Sequence, residues 1–417
     1  MSKIYDYLYG VMNYKINMRK KVAIGLVVVS LVSLAAISCE EIIPEAPLVS
    51  ELLDGPADGL SPAEQAQFLA GDIAFNDEIF TTANGLGPLF VATSCGSCHA
   101  GDGKGHPFST LTRFGQTDAT GNQYLQQGGP QLQHRAIPGY TPEFIPSGAT
   151  FTQLMPPANT GLGFLDAIAD ADLLSLADPT DVNGDGISGV PNWVNPPPYS
   201  SLRNGAVQQS GKYIGRFGKK GATYDLLQQT VNAYNQDIGI TSSFEPIDTY
   251  SGEAIDPEVS NQTVQSVVFY LKTLKAPVPR NQNNQEVSAG KQLFINIGCG
   301  NCHTPELKTE PSPIAALSNK TIAPYTDLLL HDMGPALDDG YTEGSALTSE
   351  WRTPPLWGLG LSPNSQGGKF FLMHDGRAHS IQDAIKLHGG EAASSRDQYL
   401  LLDQSQVDEL VQFLKSI

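Results

Sequence analysis

Four of the five cysteines fall into two copies of one short pattern, Cys95-Gly96-Ser97-Cys98-His99 and Cys299-Gly300-Asn301-Cys302-His303. C-x-x-C-H is the attachment signature of c-type haem. Two thiols add to the two vinyl groups, and the adjacent histidine is placed to ligate the iron. A bare C-x-x-C would be ambiguous with a redox dithiol or half of a zinc site. Each pair here carries its trailing histidine, and the two pairs stand far apart in the chain. That disfavours one shared four-thiolate zinc site. A chain with two such motifs has to wrap two large cofactors. The 42 Gly and 29 Pro among 417 residues fit that need, since much of the chain must be loop.

The fifth cysteine belongs to the N-terminus. Met18 is followed by Arg19-Lys20-Lys21 and an apolar run from Val22 to Ile37, then Ser38-Cys39. A basic start, a short apolar run and a small residue before a cut describe an export signal. The run is shorter than the ~20 residues a bilayer-spanning helix needs. Ala36-Ile37-Ser38-Cys39 resembles a bacterial lipobox, in which the cysteine is lipidated and becomes the first mature residue. Residues 1–38 are therefore expected to be a signal peptide with its true start at Met18, and residues 39–59 a lipidated tether. The expected location is the cell envelope, facing the periplasm or held on the outer membrane by lipid alone.

The full chain has 25 basic and 43 acidic residues, a net charge of −18. Removing residues 1–38 leaves 20 basic and 42 acidic residues, a net of −22. A phosphate-binding protein needs a basic face, so nucleic acid is excluded as a partner. The acidic balance suits a basic electron-transfer partner.

The surroundings of the motifs repeat as well. Ala70-Gly71-Asp72-Ile73-Ala74-Phe75 precedes the first and Ala289-Gly290-Lys291-Gln292-Leu293-Phe294 the second. The stretches VVFYLKTL (267–274) and LVQFLKSI (410–417) read as amphipathic closing helices. Met155-Pro156-Pro157 with Gly161-Leu162-Gly163 is echoed by Thr353-Pro354-Pro355 with Gly358-Leu359-Gly360. Each half reads as helix, haem site, long loop region and closing helix. The expected fold is mainly α: two cytochrome c-like haem domains with long loops and little β. The first, residues 60–280, carries long insertions; the second is 281–417, with Ala276–Gln285 as linker.

From about residue 60 onward the chain resembles the bacterial dihaem oxidoreductases, a group also labelled peroxidases or thiol oxidoreductases. The stretches that carry the resemblance include GLGPLFVATSCGSCH, IGRFGKK, YTDLLLHDMGP, EWRTPPLWGLG and FLMHDGRAHSIQDAIKLHGGEA. More distantly it resembles the dihaem cytochrome c peroxidases and the dihaem enzyme of methylamine utilisation. The resemblance implies an enzyme or electron carrier with two unlike haems. In the peroxidase relatives one haem meets peroxide while the other relays an electron. It implies a small redox donor protein or a quinol-linked cytochrome as partner. The thiol label has no free dithiol behind it, because both pairs are used by haem.

His99 and His303 are the proximal ligands by motif. The sixth ligands decide function, because a haem with two protein ligands transfers electrons and one with an open site does chemistry. The segment from His374-Asp375-Gly376 to His388 resembles the peroxidase segment that ends in a distal methionine. His388 is thus expected to complete the second haem, with Met333 as its rival. Met155 is the candidate for the first haem; if it packs elsewhere, that haem is open and peroxidatic. Asp166, where the family usually has Glu, and His134 are candidates for moving a proton during O–O cleavage. The family often has Trp after Arg216-Phe217-Gly218, where this chain has Lys219.

Asp181-Val182-Asn183-Gly184-Asp185-Gly186-Ile187 follows the first half of a calcium loop. Oxygens come from Asp181, Asn183 and Asp185, and the Ile187 carbonyl serves at position 7. Asn192 stands where an EF-hand has its bidentate Glu, so this is not a full EF-hand. Related dihaem enzymes hold calcium between their domains, and the resemblance implies Ca2+ here beside two covalently bound haem c groups.

Overall fold

The computed structural model describes residues 48–118 and 121–417, together with positions 18, 20 and 21. The expected signal peptide, most of the tether, and Cys39 lie outside the described residues. Among those described, no helix is long and apolar enough to cross a membrane.

The helices that build the fold begin with α1 (Pro62–Asp72), which starts at a capping box. Ser61 accepts from the Glu64 amide, and the Glu64 side chain returns to the Ser61 amide. It runs into one π-helical turn, Ile73–Asp77. Next come α2 (Leu162–Asp166), α3 (Asp170–Leu176) and α4 (Leu226–Asn232), the last continuing into a second π-helical turn, Ala233–Ile238. Then follow α5 (Asn261–Thr273), α6 (Gln285–Asn296), α7 (Ile381–Lys386), α8 (Ala393–Tyr399) and α9 (Gln404–Ser416). Strands are short and sheets small. β1 (Leu89–Phe90) pairs with β3 (Arg135–Ala136), and β2 (Leu111–Phe114) with β4 (Phe151–Leu154). β7 (Lys212–Ile214) lies between β5 (Trp193–Val194) and β6 (Gln208–Gln209). β8 (Leu307–Lys308) pairs with β9 (Thr321–Ile322), and β10 (Leu330–Asp332) with β11 (Glu350–Arg352). All these pairings are antiparallel, and helix outweighs strand as expected.

Two helix pairs hold the framework, α1 against α5 and α6 against α9. The repeated Ala-Gly dipeptides explain how closely they approach. A Cβ on Gly71 would stand 2.1 Å from the Ser266 carbonyl oxygen, and one on Gly290 would stand 2.0 Å from that of Glu409. The Gly-Leu-Gly echo makes a second matched contact six residues further along each closing helix. A Cβ on Gly163 would meet the Lys272 oxygen at 1.9 Å, and one on Gly360 the Lys415 oxygen at 2.0 Å. Aromatic rings fill both crossings: Phe68 lies 4.9 Å from Tyr270, and Phe294 lies 5.4 Å from Phe413.

Residues 50–417 form one compact unit. A core cluster of Leu165, Ile168, Leu173 and Ile214 with Leu307, Ile322, Leu328 and Trp357 crosses the expected boundary at 280/281. Isolated bridges, Ile168 to Thr309 and Val190 to Leu330, tie the same two regions. Residues on the two sides of that boundary thus share one apolar core.

Candidate haem site

Both C-x-x-C-H motifs open onto one continuous cavity of about 390 Å³. Cys95, Cys98 and His99 stand in its wall together with Cys299, Cys302 and His303. The rest of the wall is largely apolar, with Leu226, Val267, Leu271, Leu356, Leu410 and Leu414 among its residues, and the repeated Pro-Pro pairs lie at Pro156-Pro157 and Pro354-Pro355.

Each motif is one helical turn. The amides of Cys98 and His99 donate to the Cys95 carbonyl at 3.1 and 3.0 Å, and the His303 amide donates to the Cys299 carbonyl at 3.0 Å. One turn places residues i, i+3 and i+4 on one side, so both thiols and the imidazole face the cavity. None of the four cysteines is in a disulfide. Burial pushes Cys95 and Cys299 up to about 12 and Cys98 to about 11. A reactive redox dithiol needs the opposite shift, so this cavity does not activate the thiols as nucleophiles.

Burial pushes His99 and His303 down to about 4, which keeps each imidazole neutral, as an iron ligand must be. His303 Nδ1 donates to the Tyr325 carbonyl at 3.0 Å, leaving Nε2 bare. The Pro157 carbonyl opposes part of the shift at His99, although His99 Nδ1 is buried without a closed hydrogen bond. The residues present therefore fit two c-type haems.

His388 lines the same cavity and repeats the ligand geometry. Its Nδ1 donates to the Ala384 carbonyl at 2.8 Å, burial lowers its basicity, and its charge is felt at His303. Met333 also lines the cavity and packs against Leu154, Leu337 and Trp351. Met155 does not line it. This side chain is fully buried, and its sulfur accepts from the Gln366 amide at 3.8 Å. The expected Met155 ligand is thus turned into the core, while the Pro156 and Pro157 that follow it line the cavity.

Both candidate proton carriers lie off the cavity. Asp166 is held by Arg203 at 3.2 Å and Lys272 at 3.3 Å, and these cations outweigh burial and lower its pKa. His134 is exposed. The protonatable carboxyl that does line the cavity is Asp237, which sequence reading missed. Burial raises it to about 6 against the pull of a Gln131 hydrogen bond and Arg113, and its charge is felt at Cys95 and Cys98. The π-helical turn that follows α4 presents it, a feature enriched at functional sites and invisible in the sequence pattern.

A second missed group stands beside Cys302. His331 Nε2 bonds Asp327 at 2.8 Å, and Nδ1 bonds Glu391 at 2.7 Å. Burial would lower this imidazole, but the hydrogen bonds to Asp327, Cys302 and Glu391 win and push it up to about 12. With both nitrogens engaged, His331 is unsuited to bind iron. Glu391 also accepts from the Ser188 hydroxyl at 2.6 Å. This ties the end of the Asp181–Ile187 loop to the second motif, and Ile187 itself lines the cavity. The loop's own oxygens are engaged in exposed turns. Asp181 accepts from the Gly186 amide, Asn183 from that of Asp185 and Asp185 from that of Ile187. Among the described residues, the group of three Cys, His or acidic side chains with converging ligand atoms is Cys302, Asp327 and His331, not this loop.

Solved structures similar to this chain include the hydrazine synthase of Kuenenia stuttgartiensis, at 15% identity and TM-score 0.39 over 90% of this chain and 95% of that one. The diheme peroxidase BthA of Burkholderia thailandensis E264 aligns at 16% identity and TM-score 0.40 over 90% of this chain and 94% of that one. A MauG-like protein associated with microbial copper homeostasis aligns at 14% identity and TM-score 0.32, covering 62% and 88% of the two chains. No curated protein matches. The family model described as "Di-haem oxidoreductase, putative peroxidase" matches residues 153–417, well over half of the chain and including the second C-x-x-C-H motif. This chain belongs to the di-haem oxidoreductase family.

Proposed function

We propose that the protein is an exported dihaem c-type cytochrome that works as a peroxidase-like oxidoreductase. The reading places electron relay at the second haem, which Cys299 and Cys302 would hold and His303 and His388 would ligate. It places the reaction site at the first haem, held by Cys95, Cys98 and His99. The observation that carries it is the asymmetry of the shared cavity. At the second motif two imidazoles stand with Nδ1 bonded to a carbonyl and Nε2 bare, whereas the Met155 sulfur expected at the first is turned away. Bound haem supplies an iron at which peroxide is reduced to two waters, taking two electrons and two protons. The chain's part is to hold His99 neutral, exclude water with an apolar wall and keep Asp237 protonatable near neutral pH. Lipidation at Cys39, an envelope location and a basic redox donor complete the proposal on sequence grounds. Calcium at Asp181, Asn183, Asp185 and the Ile187 carbonyl is proposed on ligand spacing alone; native mass spectrometry with chelator titration tests it.

The alternative is a non-catalytic dihaem electron carrier. Electron paramagnetic resonance of the oxidised and half-reduced protein separates the two. A high-spin haem that persists or appears on half-reduction is expected. Two low-spin haems that never open would leave only the carrier.

A further inference from the structure

Lys219 and Lys220 are neighbours with opposite fates. Lys220 Nζ is buried against the carbonyls of Leu347, Thr348 and Glu350 at 3.1, 3.0 and 2.8 Å, and sits 3.9 Å over the Trp351 ring. Lys219 turns the other way and lines the haem cavity, as do Lys104 and Arg352. The Arg352 amide donates to the Lys219 carbonyl at 3.1 Å, so the two stand side by side on one wall. Lys219 feels the charges of both Lys104 and Arg352, and its own is felt at His99. Among the described residues, neither Lys219 nor Lys104 makes an ion pair or hydrogen bond through Nζ. The carboxylate that Lys219 senses, Asp375, is held by Arg377 at 2.7 Å. Asp327, sensed by Arg352, is taken by His331. Burial accordingly depresses all three basic groups, Lys104 to about 8 and Arg352 to about 10.

Lys104 and Lys219 are half-buried and Arg352 is buried; a cation drawn out of water without a counter-ion is costly, and such groups are found paired. This wall therefore lacks an anion, and the haems bring carboxylates in their propionate groups. We infer that Lys219, with Arg352 and Lys104, forms a seat for haem propionates shared by both haems, so that one lysine charge acts on both irons. The inference rests on the dihaem reading above. Its physical consequence is electrostatic. A ferric haem carries one more positive charge than a ferrous one, so a nearby ammonium favours the reduced state of each.

Spectroelectrochemical titration of the full-length dihaem protein tests this, with haem counted as the pyridine haemochrome. Lys219→Gln is expected to keep two haems per chain and to move both midpoint potentials downward. Lys219→Arg is expected to leave both near those of the unaltered protein. A shift confined to one haem, or none, overturns the shared seat. So does the loss of a low-spin resonance in Lys219→Gln, which would make the amine an iron ligand. Adding phosphate to the unaltered protein checks the occupant, because potentials that move with it would show a seat open to free anions. If Lys219→Gln does not accumulate, Arg352→Gln is read in the same way. Fewer than two haems in the unaltered protein would overturn this inference together with the dihaem reading. Absent peroxidase turnover with both potentials shifted would sink only the catalytic claim.

Discussion

At the scale of single residues, the clearest case of function built from distant sequence is the His331 clamp. His331 was visible in the sequence as one of eight histidines, and Asp327 precedes it by four residues. Glu391, its other partner, lies 60 positions away and becomes visible only when β10 meets the turn before α8. The three charges set a stability window with a definite sign. Glu391 is lowered to about 2, so its contribution is present above its ordinary value of 4.5 and is lost as pH falls through about 2. His331 is raised to about 12, so its contribution is present below 6.5 and is lost as pH rises through about 12. Both act in full between those ordinary values, near pH 5–6. Glu391→Gln leaves the buried imidazolium with half its countercharge and should cost roughly 1–3 kcal/mol there. Thermal unfolding of the haem-loaded protein at pH 6 and pH 3 measures it. The gap between the two proteins should narrow at pH 3; an equal gap would show that Glu391 acts by shape alone.

At the scale of elements, the repeat in the sequence was a repeat in packing. The Ala-Gly dipeptides and the closing stretches at 267–274 and 410–417 make the matched contacts of α1 with α5 and α6 with α9, and the two Gly-Leu-Gly segments make a second matched contact onto the same closing helices, α5 and α9. They were legible because close helix approach admits only glycine, and that demand survives divergence of everything around it. Gly290→Ala places a methyl 2.0 Å from the Glu409 oxygen, which only a shift of α9 relieves. Overpacking of this kind costs about 1–3 kcal/mol. Urea unfolding should show the loss for Gly290→Ala and a similar one for Gly71→Ala. Alanine at Gly300, whose Cβ would meet no atom within 4 Å, should change stability by far less. Equal losses at all three would mean that the glycines act through backbone entropy and not through contact. What stayed illegible was placement within loops. The segment Asp102–His106 read only as a loop beside the first motif, yet it delivers Lys104 to the cavity. Met155 read as a ligand because Met-Pro is a ligand pattern, but its side chain is buried and its sulfur accepts from the Gln366 amide.

At the scale of the whole molecule, charge and cofactor burial have to be considered together. The cavity wall gathers Lys104, Lys219 and Arg352, while the mature chain is expected to carry a net of −22. Positive charge is thus concentrated where anionic cofactor edges belong, and the excess of acid is left for the rest of the molecule. For exposed charges the field reaches about a Debye length, ~10 Å at 0.1 M salt and ~30 Å at 0.01 M. The basic donor proposed above would be guided to this surface at low salt and would lose that help as salt rises. The second-order rate of haem reduction by a small basic cytochrome should fall by about tenfold or more from 0.01 M to 0.2 M salt. With an acidic donor of similar size and potential the rate should rise over the same range, because salt then relieves repulsion. Stopped-flow reduction followed at the haem bands reads both series. Two flat series would show that the acidic residues do not surround the entry point for electrons, and the proposed basic partner would lose its support.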